Sequence, residues 1–235
     1  MANLFSGIPV IASEHIVQQH YNFKPIQNLL LQTTPFLVEK IVCVSEQARN
    51  SFNKNLRRKM IVISNPLEKS KSYAQTGAKK NSNERIILSV GRLDHQKDHV
   101  SLIKAFAKIQ KQADNWKLRI VGQGTLEKEL KQLIYDLNME DFAFLPGPTN
   151  KIDAEYQNAD LFVLPSYYES LGLALFEALK HNIPSIGFKD CPGVNELIRH
   201  GETGLLIEDN TDRVESLAEA LLSLVQNTKL RNKLS

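Results

Sequence analysis

Cysteine is scarce in this sequence. Cys43 and Cys191 are the only two among 235 residues, and neither lies in a spacing typical of a metal site or a redox motif. Few cysteines without a disulfide pattern are typical of proteins from a reducing compartment. We therefore expect a cytoplasmic protein that requires no metal.

Long hydrophobic runs are also missing. No apolar run approaches the ~20 residues of a helix that spans a bilayer, although 42% of the residues are hydrophobic. The first basic residue is Lys24, so no charged region precedes an apolar segment as it does in a signal peptide. The sequence therefore predicts a cytosolic location, with membrane contact restricted to the surface of the bilayer.

The chain has little excess charge of either sign. Its formal net charge is +3, from 29 basic and 26 acidic residues that are interspersed, so nothing indicates nucleic acid as a partner. Two short basic runs stand out, at Lys54, Arg57, Arg58 and Lys59 and at Lys69, Lys71, Lys79 and Lys80. We interpret them as solvated surface beside a linker or, alternatively, as a peripheral contact with the anionic inner face of the cell membrane.

Apolar segments alternate with segments of helical period along the chain, which predicts an α/β fold with parallel sheets covered by helices. The strand candidates are residues 9–13, 40–44, 60–63, 86–90, 117–121, 142–145, 161–164, 184–187 and 204–207. The clearest helix candidates are residues 99–112, 126–137, 173–181 and 213–226. Some strand candidates do not alternate in polarity, because a strand in such a sheet is buried on both faces.

A domain boundary is predicted at Asn65-Pro66. This dipeptide opens a polar, Lys- and Ser-rich stretch that runs to about Glu84 and is typical of a linker. Residues 1–64 hold three strand candidates and are expected to form an incomplete first Rossmann-like domain, whereas residues 65–235 hold six and form a nearly complete second one. With so few strands in the first domain, the apolar faces of residues 8–12 and 41–44 are expected to lack cover.

Ligands of open α/β sheets bind at the carboxyl ends of the strands, where loops lead into helices. After the strand candidate at 86–90, Gly91 is followed by Arg92 and Lys97, two cations that suit a diphosphate. Basic residues are common in surface loops, so a plain solvated turn is the alternative. The loop after the next strand begins with Gly122, and the loop after the following one begins with Pro146.

The tripeptide Gly122-Gln123-Gly124 is like the start of a dinucleotide fingerprint, but this pattern alone is a weak signal. A nicotinamide site needs an acidic residue at the end of the next strand, and here that strand ends in Pro146-Gly147. Glycines for a tight turn are therefore the simpler interpretation, and no nicotinamide cofactor is expected.

The most informative segment is 165–177. Glu169 lies in its loop, and Glu177 lies eight residues later in an almost wholly apolar helix. Such a carboxylate either faces the edge of the helix, where the positive helix end favours it, or has a specific partner. Gly172 lets a ligand approach the amides of Gly172 and Leu173 at the helix start. The segment therefore predicts an anion site with a hydroxyl-bearing group at each glutamate.

The spacing of Glu169 and Glu177 matches the Glu-x7-Glu motif of the family 4 glycosyltransferases, which the chain resembles over nearly its whole length. The loop from Gly91 to Lys97 resembles the phosphate-binding loop of that family, and residues 191–206 resemble its C-terminal stretch. Members are retaining enzymes of the GT-B fold, with two Rossmann-like domains across a cleft. The resemblance implies this fold, a nucleotide-sugar donor such as a UDP-sugar, and retaining transfer to a saccharide or lipid-linked acceptor in polysaccharide or lipopolysaccharide synthesis.

The resemblance also implies roles for individual residues. Arg92 and Lys97 would hold the donor diphosphate, while Glu169 would bind sugar hydroxyls and Glu177 the ribose. His15 resembles a first-domain histidine that touches the donor sugar near the reacting carbon, with a structural histidine as the alternative. The full set of candidate site residues is His15 and Glu169 as catalytic residues, and Gly91, Arg92, Lys97, Gly122, Pro146, Glu169, Ser170, Leu171, Gly172, Leu173 and Glu177 as donor-binding residues.

The sequence departs from the family pattern at both ends, because the first strand with its glycine-rich loop and the last crossing helix have no counterpart. We therefore expect a truncated enzyme. The alternatives are a donor-binding fragment without transferase activity, and another enzyme of the same architecture such as a nucleotide-sugar epimerase or a phosphorylase. The sequence does not identify the sugar, the base or the acceptor.

Overall fold

The computed structural model describes residues 8–22, 24–63, 84–209 and 212–235. Every predicted strand is present, and the strands pair in parallel. The chain divides into two compact units. The first contains the described residues up to Ile63 together with Tyr168–Leu171, and the second contains residues 84–167 and the described residues from Gly172 onward.

The first unit is built around a three-stranded sheet in the order β1-β2-β3, formed by β1 (Ile11–Glu14), β2 (Lys40–Cys43) and β3 (Met60–Val62). Its helices are α1 (Pro25–Leu37), α2 (Glu46–Ser51) and α3 (Lys54–Arg57). The side chain of Ser45 accepts a hydrogen bond from the Ala48 backbone at 3.0 Å and begins α2. Asn53 begins α3 in the same way.

β2 is the middle strand of this sheet, and Ile41 and Cys43 are buried in it. They belong to a small core whose other members are Leu31, Phe52, Leu56 and Met60. The prediction that residues 41–44 lack cover is therefore wrong, because a middle strand has neighbours at both edges and helices pack on its side chains. Ile8 and Ile11, before and within the edge strand, are 62% and 65% exposed as expected.

The second unit contains a six-stranded sheet in the order β6-β5-β4-β7-β8-β9. Its strands are β4 (Arg85–Val90), β5 (Trp116–Val121), β6 (Ala143–Gly147), β7 (Leu161–Leu164), β8 (Ser185–Phe188) and β9 (Gly204–Ile207). Its helices are α4 (His99–Ile109), α5 (Glu127–Asp136), α6 (Ile152–Asn158), α7 (Leu173–Lys180), α8 (Arg213–Gln226) and α9 (Thr228–Lys233). A single large core fills this unit, as the uninterrupted apolar strands predict.

The strand order reverses between β4 and β7. From β4 the chain proceeds outward through β5 and β6, and then returns to the other side of β4 to form β7, β8 and β9. β4 and β5 pair in register from Arg85 opposite Trp116 to Val90 opposite Val121, so both strands end at the same level. In open α/β sheets such a reversal is the place where ligands bind, beyond the carboxyl ends of the strands.

Pro146 differs from its predicted place. The sequence predicts that Pro146 opens a loop, but it lies within β6, which extends to Gly147. β6 is an edge strand, where proline's missing N–H need not face a neighbour, and its pairing with β5 shifts register between Arg119 and Val121.

Several predictions concern residues outside the described ranges. The predicted domain boundary at Asn65-Pro66 lies outside these ranges, and so does the predicted linker apart from its last residue, Glu84. The second basic run lies there as well, at Lys69, Lys71, Lys79 and Lys80. In the described ranges, no helix is both long enough and apolar enough to cross a bilayer.

Candidate functional site

Gly91 begins the loop at the carboxyl end of β4, beside the end of β5. Its N–H donates to the carbonyl oxygen of Val121 at 3.0 Å. Lys97 ends a short 3-10 turn in this loop, where its N–H donates to the Asp94 carboxylate at 3.3 Å. A Cβ added at Gly91 would lie 3.1 Å from Cδ of Lys97, so the lysine stem packs over the glycine. The structure thus brings two predicted residues together at the end of the central strand.

Arg92 lies on the outside of the same loop. Its side chain is 68% exposed, and its Nη2 lies 3.3 Å from a carboxylate oxygen of Asp94. The same nitrogen donates to Oε1 of Gln96 at 3.2 Å. An exposed ion pair of this kind contributes little stability. An anionic ligand could therefore replace Asp94 as the partner of Arg92 at low energetic cost.

Gly122 lies directly against Gly91. Its φ is +151°, and a Cβ added there would lie 1.9 Å from the carbonyl oxygen of Gly91. Its N–H donates to the carbonyl oxygen of Gly147, which follows Pro146, at 3.2 Å. Three strand ends therefore meet through their backbones, and close packing is a sufficient reason for glycine at position 122.

The chain after β7 approaches the β4 loop from the other side. The N–H of Tyr167 donates to the carbonyl oxygen of Gln96 at 3.0 Å. Gly172 is the N-cap of α7 with a φ of +64°, a conformation that other residues adopt only with strain, and Leu173 is the first residue of the helix. The first N–H groups of a helix have no acceptor within it, so this helix start favours an anion.

Glu177 lies on the exposed side of α7 and has a specific partner, Tyr156. Burial, followed by the charge of Glu177 and a hydrogen bond to it, raises the pKa of Tyr156. The Tyr156 hydroxyl also lies 3.0 Å from the carbonyl oxygen of Ala174, so two acceptors share its single proton. The ring of His181 stacks on Tyr156 at 5.3 Å between centroids, and its Nδ1 donates to the carbonyl oxygen of Glu177 at 2.8 Å. Both sequence-based alternatives for Glu177, an edge position and a specific partner, therefore apply.

The remaining predicted residues belong to the first unit. His15 follows β1, and the hydroxyl of Ser170 donates to its carbonyl oxygen. The hydroxyl of Ser45 in turn donates to the carbonyl oxygen of Ser170 at 2.9 Å. Glu169 is buried, with 8% exposure, and precedes Ser170 and Leu171 in the same unit. The structure therefore groups His15 with residues 169–171, and Gly91, Lys97 and Gly122 form a separate group in the second unit.

Arg213, at the start of α8, is a residue that the sequence did not reveal. Its Nε lies 2.6 Å from the Asp98 carboxylate, and its Nη1 lies 2.6 Å from Asp209. Its Nη2 donates to the carbonyl oxygens of Pro165 at 2.5 Å and Ser166 at 3.1 Å. The guanidinium therefore ties the start of α4 to the chain that leaves β7.

Two aromatic rings enclose the same guanidinium. The Cζ of Arg213 lies 3.5 Å from the ring centroid of Phe188 and 4.3 Å from that of Tyr167. Burial and then the Asp98 carboxylate raise the pKa of Tyr167, while the Arg213 charge lowers it. Cation–π contacts stabilise a buried guanidinium whose planar donors are also hydrogen-bonded. Arg213 thus has a fixed position in the structure.

His99 is another buried polar residue next to the β4 loop. It is the first residue of α4 and is 1% exposed, and within the described ranges neither ring nitrogen has a hydrogen-bond partner. Burial, and then the charge of Lys97, lowers the pKa of His99 to about 3. The ring is therefore neutral near neutral pH and too weak a base for acid–base catalysis there.

Comparison with known proteins identifies the family. The family described as glycosyl transferases group 1 matches residues 74–235, more than half of the chain. The chain belongs to this family. The matched region contains the β4 loop, Gly122, and the segment from Glu169 to Glu177, so the predicted donor-binding residues all lie within it.

Relatives with curated descriptions agree with this assignment. The chain is 32% identical over 243 residues to an uncharacterized glycosyltransferase of Haemophilus influenzae, covering 99% of this chain and 66% of that protein. It is 34% identical over 148 residues to a Campylobacter jejuni 4-alpha-N-acetylgalactosaminyltransferase whose name specifies a diphospho-undecaprenol substrate, covering 63% of this chain and 39% of that enzyme. The chain thus spans less than two thirds of the length of these relatives.

Solved structures show that the chain has the GT-B fold. HepE from Anabaena, in complex with UDP and glucose, superposes with a TM-score of 0.80 at 19% identity and covers 99% of this chain and 66% of its own. A TarM variant from S. aureus, in complex with fondaparinux, alpha-GlcNAc-glycerol and UDP, has a TM-score of 0.80 at 22% identity. The match covers 96% of this chain and 45% of the TarM chain. The fold predicted from the sequence is therefore confirmed.

Proposed function

We propose that the chain binds a nucleoside diphosphate sugar and forms the donor site of a retaining glycosyltransferase. The acceptor would be a saccharide or a lipid-linked saccharide, in the synthesis of a cell-surface polysaccharide or lipopolysaccharide. One observation carries the proposal. The loop with Arg92 and Lys97 and the helix start at Gly172 and Leu173 follow β4 and β7, the two strands between which the strand order reverses.

The chemistry of these groups suits a leaving nucleoside diphosphate. When the bond from the anomeric carbon to the diphosphate breaks, negative charge develops on the phosphate oxygens. A guanidinium, an ammonium and helix N–H groups fixed at that place stabilise this charge, and such preorganised stabilisation is a large contribution to catalysis. The acceptor hydroxyl would attack from the same face as the leaving group and its proton would pass to the departing phosphate oxygen, with no side chain of this chain as a covalent nucleophile.

The relatives support the kinds of donor and acceptor. HepE and TarM were crystallised with UDP, which supports a uridine nucleotide as the first donor to test. The Campylobacter relative is named for a diphospho-undecaprenol saccharide, and an Erwinia amylovora relative, 28% identical over 198 residues, is named for amylovoran biosynthesis. The first name supports a lipid-linked acceptor, and the second supports a role in polysaccharide synthesis.

Calorimetric titration with a panel of nucleoside diphosphates and their sugars tests donor binding. Losing charge-assisted phosphate contacts should weaken binding at least about tenfold in the double variant Arg92→Ala, Lys97→Ala. The matched control is Lys104→Ala, Lys111→Ala, which removes the same charge from exposed positions elsewhere in the unit. If both double variants bind the diphosphate as tightly as the original chain, the assignment is wrong.

A second candidate function is donor binding without transfer. Ile8 and Ile11 are exposed, so the edge of the three-stranded sheet lacks cover. Transfer requires an acceptor held firmly in reacting geometry, and a partly uncovered first unit is less suited to hold it. Transfer of radiolabelled sugar to a cell lipid extract by residues 1–235 separates the two candidates. Turnover at about 1 per second, an ordinary enzyme rate, would eliminate the binding-only function.

A further inference from the structure

The first unit contains a basic cavity that the proposed donor site does not use, and three of its residues belong to the first basic run of the sequence. It has a volume of about 260 Å³ and is lined by Arg49, Asn50, Lys54, Arg57 and Arg58. Four of the five lining side chains are cations, the fifth is an amide, and none is acidic. A water molecule occupies about 30 Å³ of liquid, so the cavity has room for a tetrahedral anion and part of the group attached to it.

The cations of this cavity are poorly neutralised. Nη1 of Arg49 lies 3.2 Å from Glu46, but that pair is exposed, and Nε of Arg49 is buried without a hydrogen-bond partner in the described ranges. In the part of the chain that the structure describes, Lys54, Arg57 and Arg58 form no ion pair with a carboxylate. A buried, unpaired guanidinium N–H is costly, and an anionic acceptor would satisfy it.

His15 is not among the residues that line the cavity. Its residues come from the end of α2, from α3 and from Arg58, which is two residues before β3 begins at Met60. The N–H of Ile41, near the start of β2, donates to the carbonyl oxygen of Lys59 at 2.8 Å, so this segment borders the amino-terminal edge of the sheet. His15 follows the carboxyl end of β1, and the strands are parallel. The part of the cavity formed by α3 and Arg58 therefore lies towards the opposite edge of the sheet from the His15 loop.

We propose that this cavity binds a phosphate-bearing anion. Guanidinium groups bind phosphate oxygens through paired N–H donors, and Arg49, Arg57 and Arg58 supply three of them in one cavity. The shared chemistry is a phosphate monoester or diester. Its source is either a soluble phosphate compound or the headgroup of an anionic phospholipid, and the experiment distinguishes these sources.

The first arm titrates the whole chain with inorganic phosphate at constant ionic strength and follows backbone NMR shifts. We expect saturable shifts in α2 and α3, and an affinity at least about tenfold weaker in Arg57→Ala, Arg58→Ala, because each lost charge-assisted contact weakens binding by that order. The matched control is Lys111→Ala, Lys229→Ala, which removes two charges from exposed positions in the second unit and should leave the affinity unchanged.

The second arm measures cosedimentation with vesicles of phosphatidylglycerol and of phosphatidylcholine. Binding to phosphatidylglycerol vesicles that is lost in Arg57→Ala, Arg58→Ala identifies a lipid headgroup, and binding of inorganic phosphate alone identifies a soluble source. Unchanged backbone NMR shifts of the first unit away from the substituted residues, measured without phosphate, show that the variants are folded. Nucleotide affinity should be the same in all variants, which separates this proposal from the donor site. Equal losses in both double variants, or no saturable phosphate or vesicle binding by the original chain, would overturn the proposal.

Discussion

Arg213 and Asp98 form an ion pair with 2.6 Å between Nε and a carboxylate oxygen, and their side chains are only 9% and 7% exposed. Asp98 also begins α4, because its carboxylate accepts from the N–H of Ser101 at 3.3 Å. The pair therefore connects the starts of two helices, one of which follows Lys97 directly. Removing Arg213 would leave the buried Asp98 carboxylate without its cation, whereas removing Asp98 would leave Arg213 paired with Asp209 alone.

Replacing Arg213 should destabilise the second unit strongly. We expect Arg213→Met to lower the free energy of unfolding by about 3–5 kcal/mol, because Asp98 and the carbonyl oxygens of Pro165 and Ser166 lose their donors. Arg213→Lys should recover only part of this, since an ammonium cannot reproduce the planar fork. The control is Arg119→Met, which breaks a more exposed ion pair with Glu155. Denaturant titration measures all three, and equal losses for Arg119→Met and Arg213→Met would contradict the special role of Arg213.

The contact between Gly122 and Gly91 predicts an intolerant position. Gly122→Ala would place a Cβ 1.9 Å from the Gly91 carbonyl oxygen, so the ends of β4 and β5 must separate. Backbone strain alone would lower the free energy of unfolding by about 1–3 kcal/mol, and the loss in Gly122→Ala should be larger than this. Gly201→Ala is the matched control, because Gly201 also has a positive φ, +77°, but a Cβ there meets no atom within 4 Å. Thermal unfolding should rank Gly122→Ala as clearly less stable, and the reverse order would refute the close approach.

His99 should make stability depend on pH. Its pKa falls from 6.5 to about 3 on folding, so the unfolded chain binds the proton more tightly. The contribution of His99 to stability is therefore fully present above pH 6.5 and is lost as the pH falls towards 3, with a slope approaching about 1.4 kcal/mol per pH unit. His99→Phe should reduce that slope. Urea titrations at several pH values measure this slope. The expectation fails if the stability of His99→Phe depends on pH in the same way as that of the original chain.

Glu177 and Glu169 should affect different parts of the donor. In the proposed function Glu177 binds the ribose, so Glu177→Gln should weaken the free nucleoside diphosphate and its sugar alike. Glu169→Gln should weaken mainly the sugar nucleotide. A lost hydrogen bond to a charged group corresponds to about tenfold or more in affinity, which calorimetry resolves. Equal losses of both ligands in both variants would show that the division of roles is wrong.

Much of this fold could be predicted because its local signals agree with its tertiary structure. Buried parallel strands require uninterrupted apolar runs such as 161–164, and the helix predicted at 213–226 has the observed bounds of α8. Pro146 was misplaced because its position depends on β6 being an edge strand, and strand order is not visible in local sequence.

The candidate site was predictable only in part. Glycine and charged residues directly after strands mark loops, so Gly91, Lys97 and Gly172 could be found. Arg213 could not, because it lies at the start of a helix 115 residues from Asp98 and its hydrogen bonds exist only after the sheet is formed. A buried arginine also has the same local pattern as an exposed one. Its partner Asp98 has a φ of +47°, which no neighbouring residue signals.

The β4 loop is held in place on both sides by main-chain atoms, through the N–H of Gly91 and the carbonyl oxygen of Gln96. These contacts do not depend on side chains, so positions such as Arg92 and His95 can be substituted without moving the frame that carries them. The loop can therefore diverge in evolution, and be varied in the laboratory, to accept different ligands. A library randomised at these two positions should retain a folded second unit in most of its members.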